Sequence, residues 1–175
     1  YKEENCEIVN NAPLEVFHKF KKHKKLGKKV KLITHHWSTN PKKGFTFYKS
    51  LDKFVGENKD KFSFTYIGRI PDGFSFENTN YIEATGDNEF LAKKLSSADI
   101  YVTASREEAG ANHVLEAMAS GLPVVYHASG GSILNYCKPY GEEFVCERLE
   151  DSNSFLNAID KIINSYSSYK NKVMK

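Results

Sequence analysis

The sequence predicts an α/β domain in which helices cover both faces of a parallel sheet. Three observations predict it. Short apolar runs alternate with segments whose apolar residues recur at helical spacing, about five times along the chain. The chain has 175 residues, the size of one ordinary domain with room for a full core. Its 40% hydrophobic and 27% charged residues are the mixture of a globular protein, not of a disordered one.

The elements follow in order. "CEIVNNAPLEVF" (6–17) reads as a short strand, a turn around Asn10–Pro13 and the start of a helix. "HKFKKHKKLGKK" (18–29) is dense in lysine; it is either a solvated linker face or a segment drawn to an anionic membrane surface. "VKLITH" (30–35) is a buried strand, and 44–55 is a helix with Phe45, Tyr48, Leu51, Phe54 and Val55 on one side. Strands follow at 62–68 and 79–84. Asp87 or Asn88 caps a helix running to Leu95, and 99–105 is the next strand. Residues 112–120 form a helix with Asn112 as its N-cap, closed by Gly121 and Pro123. "PVVYH" (123–127) is a strand, "GSILNYC" (131–137) a short helix and "EFVCE" (143–147) the last strand. An amphipathic helix over 151–166 completes the chain. This is the Rossmann-like order, and ligands of such sheets bind beyond the carboxyl ends of the strands.

Composition excludes several functions. Only Arg69, Arg106 and Arg148 are arginines among 25 basic residues, and the net charge is +3. Nucleic-acid readers rely on arginine's planar fork, so no nucleic-acid partner is expected. Cys6, Cys137 and Cys146 have neither zinc nor disulfide spacing, and a reducing, cytoplasmic compartment suits them. No apolar run reaches the length of a membrane span. The chain does not begin with Met, as expected of a piece of something longer.

The informative stretch is "REEAGANHVLEAMASGLPVVYHASGG" (106–131). It begins at the carboxyl edge of the 99–105 strand. The amides of Gly110, Ala111 and Asn112 and the positive end of the following helix point at the expected crevice, a place that favours phosphate. Gly110 and its alanine neighbours keep the loop slim. Glu108 precedes the helix and Glu116 lies one turn inside it. Two carboxylates flanking a phosphate cradle suit two polyol rings, a ribose and a hexose. The plainer reading makes both of them solvated surface acids, but Ala117, Met118 and Ala119 beside Glu116 argue for an apolar setting.

This stretch resembles the donor-binding signature of retaining glycosyltransferases with the GT-B fold, especially the large family 4. That signature is a Glu, seven residues, a second Glu, then Ala-Met-Ala-x-Gly-x-Pro-Val, and here it reads "EAGANHVLEAMASGLPVV" (108–125) followed by "ASGG". "SSADIYVTASREE" and "VKLITHHWSTNPKKGFTFYKSL" resemble the approach to it and the first strand, loop and Lys-Gly helix start. "CEIVNNAPLEVF" resembles the passage that links the two GT-B halves.

The resemblance implies that residues 30–175 are the C-terminal, nucleotide-sugar half of such an enzyme, residues 1–29 an interdomain segment, and the N-terminal acceptor domain a partner outside this chain. It implies Glu108 on hydroxyls of the transferred sugar, Glu116 on the ribose, and the amides of Ala109, Gly110, Ala111 and Asn112 near the diphosphate or sugar. Lys43 would neutralise the diphosphate leaving group, and the segment from Ile82 to Ala84 would meet the base. No metal or other cofactor is implied. Surface polysaccharide or protein glycan synthesis in the cytoplasm, with peripheral membrane contact, is the family-level expectation.

The sequence departs from the family in ways that matter. A Gly-Arg pair usually follows the first strand; here the loop is "HHWSTNPKKG" without arginine, so Lys42 shares the duty with Lys43, or Arg69 replaces the lost charge unless it is simply a solvated loop residue. "EAGA" stands for the usual "EGFG", so the sugar is not inherited from the family. His35 and His36 end the first strand and either line the cleft or serve structure. His113 covers the phosphate or faces solvent, and Trp37 either stacks on a ligand or the other domain or, as expected first, packs inside its loop. One rival reading is a non-catalytic nucleotide-sugar-binding module that works with a separate acceptor subunit. Another is a dehydrogenase half, which the lack of GxGxxG after the first strand argues against.

Overall fold

The computed structural model describes residues 11–175, so the strand expected within 6–10 lies outside the described residues. After a short helix α1 (Val16–Lys19) come β1 (Val30–His36), α2 (Phe45–Glu57), β2 (Phe62–Gly68), β3 (Asn80–Ile82), α3 (Asn88–Ser97) and β4 (Ile100–Thr103). Then follow α4 (Asn112–Ala119), β5 (Val124–His127), α5 (Ser132–Cys137), β6 (Gly141–Phe144), α6 (Ser154–Asn164) and α7 (Tyr166–Met174). Three-residue 3-10 turns stand at Pro41–Lys43 and Leu149–Asp151.

The six strands form one sheet in the order β3-β2-β1-β4-β5-β6, every pair parallel. Period-two alternation sends neighbouring residues to opposite faces. Leu32, Phe64, Tyr66, Val102 and Val125 meet α2 and α6 in one core. Ile33, Ile67, Tyr101, Val124 and Tyr126 meet α1, α3, α4 and α5 in the other. This is the Rossmann-like, doubly covered sheet expected from the sequence. Strand order reverses between β1 and β4, so loops 37–44 and 104–111 open from the point where a crevice forms in this architecture.

Several elements differ from the sequence reading. Ala111, not Asn112, occupies the N-cap position of α4, at φ 28 and ψ 31, and no side chain caps the end. Asn112 is already the first helical residue, so its carboxamide does not stand where it could accept from the amides two and three positions on. β6 begins at Gly141 and stops at Phe144 because β5, its only partner, pairs with it through Val124↔Gly141 to His127↔Phe144. Val145 beyond it is exposed. β3 is three residues long, matching the three positions of β2 that it pairs with. The final helix breaks at Ser165 and a separate α7 follows. α7 is polar by pattern but is held by tertiary bonds: the Tyr166 hydroxyl donates to Asp99 O at 3.2 Å and Lys170 Nζ to Gly121 O.

Candidate functional site

A cleft of about 330 Å³ opens at the carboxyl ends of β1 and β4, at the reversal point of the sheet. One wall is the end of β1 and its loop, from His35 to Ser38, with Lys43. The other is Glu108, Gly110, Ala111 and the first turns of α4, with Asn112, His113 and Glu116.

Two glycines set these walls. Gly44 is left-handed at φ +82, and a Cβ there would come within 2.6 Å of Ala104. The 3-10 turn that carries Lys43 therefore sits against the exit of β4, and the Arg106 amide donates to Lys42 O at 2.8 Å. Gly131 has φ +66, and a Cβ would meet Glu108 O at 2.6 Å. That close approach lets the loops after β4 and β5 pair: the amides of Glu107 and Glu108 donate to Ser129 O and Gly130 O, and the Ser132 amide donates to Glu108 O. The Gly-Gly turn thus fixes the backbone that presents Glu108.

The charged groups meet in pairs. Lys43 Nζ and Glu108 Oε1 form an ion pair with both side chains largely buried. Glu116 Oε2 lies 2.7 Å from His35 Nε2. A carboxylate only accepts, so the His35 ring carries its proton on Nε2 and turns Nδ1 toward the Tyr101 hydroxyl at 3.2 Å. The same hydroxyl accepts from the His35 amide at 3.2 Å. Among the described residues, none accepts from the amides of Gly110, Ala111, Asn112 and His113, which are left for a ligand at the uncapped end of α4.

Three imidazoles floor the cleft. The His113 ring lies 6.3 Å from His35 and 5.1 Å from His36, centroid to centroid. His113 Nε2 is 3.2 Å from Thr103 Oγ1, and His36 Nε2 is 2.6 Å from the Tyr48 hydroxyl. Burial pushes His36 and His113 well below the usual histidine range, and the neighbouring imidazoles and Lys43 push the same way. Burial also raises the Tyr48 phenol to about 12. That phenol accepts from the Ala104 amide at 3.1 Å, tying α2 to the β4 exit.

The structure brings together Lys43, Glu108, Glu116, Gly110, Ala111 and Asn112 from the sequence reading. It places the others elsewhere. Lys42 turns outward to an exposed pair with Glu107. Arg69 is exposed beyond the end of β2, where its amide donates to His36 O at 3.1 Å, and it does not line the cleft. Ile82 packs on the core. Ala109 is exposed on the outer side of its loop. Trp37, expected to pack inside its loop, is instead 49% exposed on the lip of the cleft, with one side against a small hollow shared with Ile67 and Leu91. The sequence allows His35, His36 and His113 at the cleft one by one, and the structure shows that they meet there as a cluster.

A larger groove of about 830 Å³ runs along α2 beside residues 74–78 and 148–151. One of its lysines, Lys49, is engaged locally, donating to Ser75 O at 3.0 Å and Glu77 at 3.3 Å. Among the described residues, no cluster of three His, Cys, Asp or Glu side chains is placed to hold a metal ion, and no helix is long and apolar enough to cross a membrane.

The architecture has counterparts of low sequence identity. TarM superposes with a TM-score of 0.67 at 16% identity, over 97% of this chain and 34% of TarM. The catalytic domain of cholesterol-alpha-glucosyltransferase from Helicobacter pylori gives 0.61 at 18% identity, over 83% of this chain and 94% of that one. Sucrose-phosphate synthase from Thermosynechococcus elongatus gives 0.60 at 20% identity, over 86% of this chain and 40% of the synthase. The chain thus spans about two fifths of the length of the synthase. No curated protein matches the sequence. The sequence model of the glycosyl transferases group 1 matches residues 30–165, the whole sheet with α2 to α6, and the chain belongs to that family.

Proposed function

We propose that residues 30–175 are the donor-binding half of a retaining glycosyltransferase that uses a nucleotide diphosphate sugar. The acceptor would be held by a second, N-terminal domain, with residues 1–29 as the link between the two. The observation that carries the reading is the placement of Lys43–Glu108 and His35–Glu116 on either side of the open amides of α4. Glu116 accepts from the ribose hydroxyls. Glu108 gives up Lys43 to accept from hydroxyls of the sugar, and the freed ammonium meets the diphosphate. In transfer, the bond from the anomeric carbon to the diphosphate oxygen breaks, and the acceptor oxygen bonds to that carbon on the same face. The acceptor proton leaves with the diphosphate. Negative charge grows on the leaving oxygen, where Lys43 and the α4 amides stabilise it without a metal.

The same reading places the protein in the cytoplasm. Lys19, Lys22, Lys25, Lys28 and Lys29 are exposed and suit contact with an anionic membrane surface.

Calorimetric titration with UDP, GDP, ADP, dTDP and their sugar conjugates tests the reading. One nucleotide binds selectively, and Glu116→Ala loses it by about ten-fold or more. A folded protein that binds none of them contradicts the donor-site reading.

A further inference from the structure

We propose that His113 contacts the donor and takes up a proton as the diphosphate enters, giving the cleft the cationic charge it lacks when empty. This rests on the donor-site reading above and adds to it how the site accepts an anion.

The fixed charges pose the problem. Among the described residues that line the cleft, Lys43 is the one fixed cation, and Glu108 and Glu116 are both acids. These fixed charges alone leave the described lining with one net negative charge, and its ammonium is already paired with Glu108. A diphosphate entering such a site brings more negative charge of the same sign as the excess. The α4 amides offset part of this, since a helix end supplies only about half a charge. The imidazoles are the remaining lining groups that change charge near neutrality.

Geometry selects His113 among the three. His35 has both ring nitrogens engaged, by Glu116 at 2.7 Å and Tyr101 at 3.2 Å. His36 lies beneath, 3% exposed, with Nε2 on Tyr48. His113 stands in the first turn of α4, beside the open amides. Its Nε2 faces Thr103, which leaves Nδ1 for a ligand. The groups around it are Lys43 from the 3-10 turn, His35 and His36 from β1, Tyr101 from β4, and Glu116 one turn along its own helix.

Without nucleotide, burial above all disfavours the His113 imidazolium, and the nearby Lys43 ammonium adds to that, so the neutral ring is favoured. A diphosphate reverses the sign of the local field and favours the charged form. Solvent supplies the proton and no covalent bond changes. By linkage, nucleotide affinity rises as pH falls toward the bound-state value of His113.

The test is calorimetric titration of UDP, GDP and ADP into the 175-residue chain at about pH 7, in two buffers of different ionisation enthalpy. The difference in heat counts protons. We expect net uptake by the wild type and its loss in His113→Gln, which binds about ten-fold more weakly. Proton exchange by the nucleotide phosphate is common to both proteins and cancels in the comparison. In the wild type, NMR of the histidine ring protons with and without nucleotide gives an independent reading: the His113 signal moves toward the imidazolium position. Binding with the same proton exchange in both proteins, or an unmoved His113 signal, overturns the proposal and leaves the donor site standing. No binding of these three or of dTDP overturns both.

Discussion

His35 Nε2 lies 2.7 Å from Glu116 Oε2, joining the last turn of sheet on β1 to the second turn of α4. The contact holds a carboxylate at the edge of the cleft in one orientation. Tyr101 holds the ring from behind, so the arrangement is set from β4 as well. A hydrogen bond to a charged group is worth about 1.5–3 kcal/mol. His35→Ala is therefore expected to weaken nucleotide binding by about ten-fold, and His35→Gln, which can still donate, by less. The loss should shrink for a 2′-deoxynucleotide if Glu116 serves the ribose. Parallel titrations of both nucleotides into the three proteins check this.

The Lys43–Glu108 pair predicts opposite effects for its two members. Lys43→Ala removes the cation and should weaken diphosphate binding by about ten-fold or more, whether or not a chelator is present. Glu108→Gln frees the ammonium and should tighten the plain nucleoside diphosphate a few-fold. The same change should erase any advantage of the sugar conjugate, because the amide is a poorer acceptor for its hydroxyls. Competition between the plain nucleotide and its conjugate measures the difference.

Gly131→Ala should destabilise the fold and the site together. The residue is at φ +66 and a Cβ would sit 2.6 Å from Glu108 O. Strain of this kind is worth about 1–3 kcal/mol, which in a chain of this size lowers Tm by about 2–10 °C. Thermal unfolding reads the first effect and nucleotide titration the second.

Lys170 predicts a pH effect far from the cleft. It is 3% exposed, donates to Gly121 O just past α4, and burial lowers its pKa from 10.5 to about 8. The unfolded chain thus binds more protons than the folded one between about pH 8 and 10.5. Stability from this group is present above that window and is lost as pH falls through the folded value. Lys170→Met loses the bond to Gly121 O and should lower Tm by a few degrees, and it should flatten the rise of stability with pH across the window. Denaturant titrations at several pH values check it.

Most of the fold was legible because its signals are local. The apolar side of α2, the alternation in β1, β2 and β4, and Asp87 as the cap of α3, accepting from the Phe90 amide at 2.9 Å, all read directly from spacing. α7 was not legible, since its polar run is helical only through Tyr166 and Lys170 docking on distant carbonyls. The limits of β6 depend on β5, which no local window contains. The candidate site divides the same way. Glu108, Glu116 and Lys43 stand out by spacing. Which of two adjacent lysines turns inward is decided by the tight turn at Pro41–Lys43, and Lys42 goes to Glu107 instead. The meeting of His35, His36 and His113 needs β1, β4 and α4 in place, so it emerges only from the folded chain.

The most direct measurement is a crystal structure of this chain with the nucleotide that titrates most tightly. The account predicts the nucleotide in the β1–β4 cleft, its ribose hydroxyls on Glu116 and its diphosphate between Lys43 and the first amides of α4. A nucleotide lodged instead in the groove along α2, or one in the cleft that leaves the Lys43–Glu108 pair closed, would contradict it.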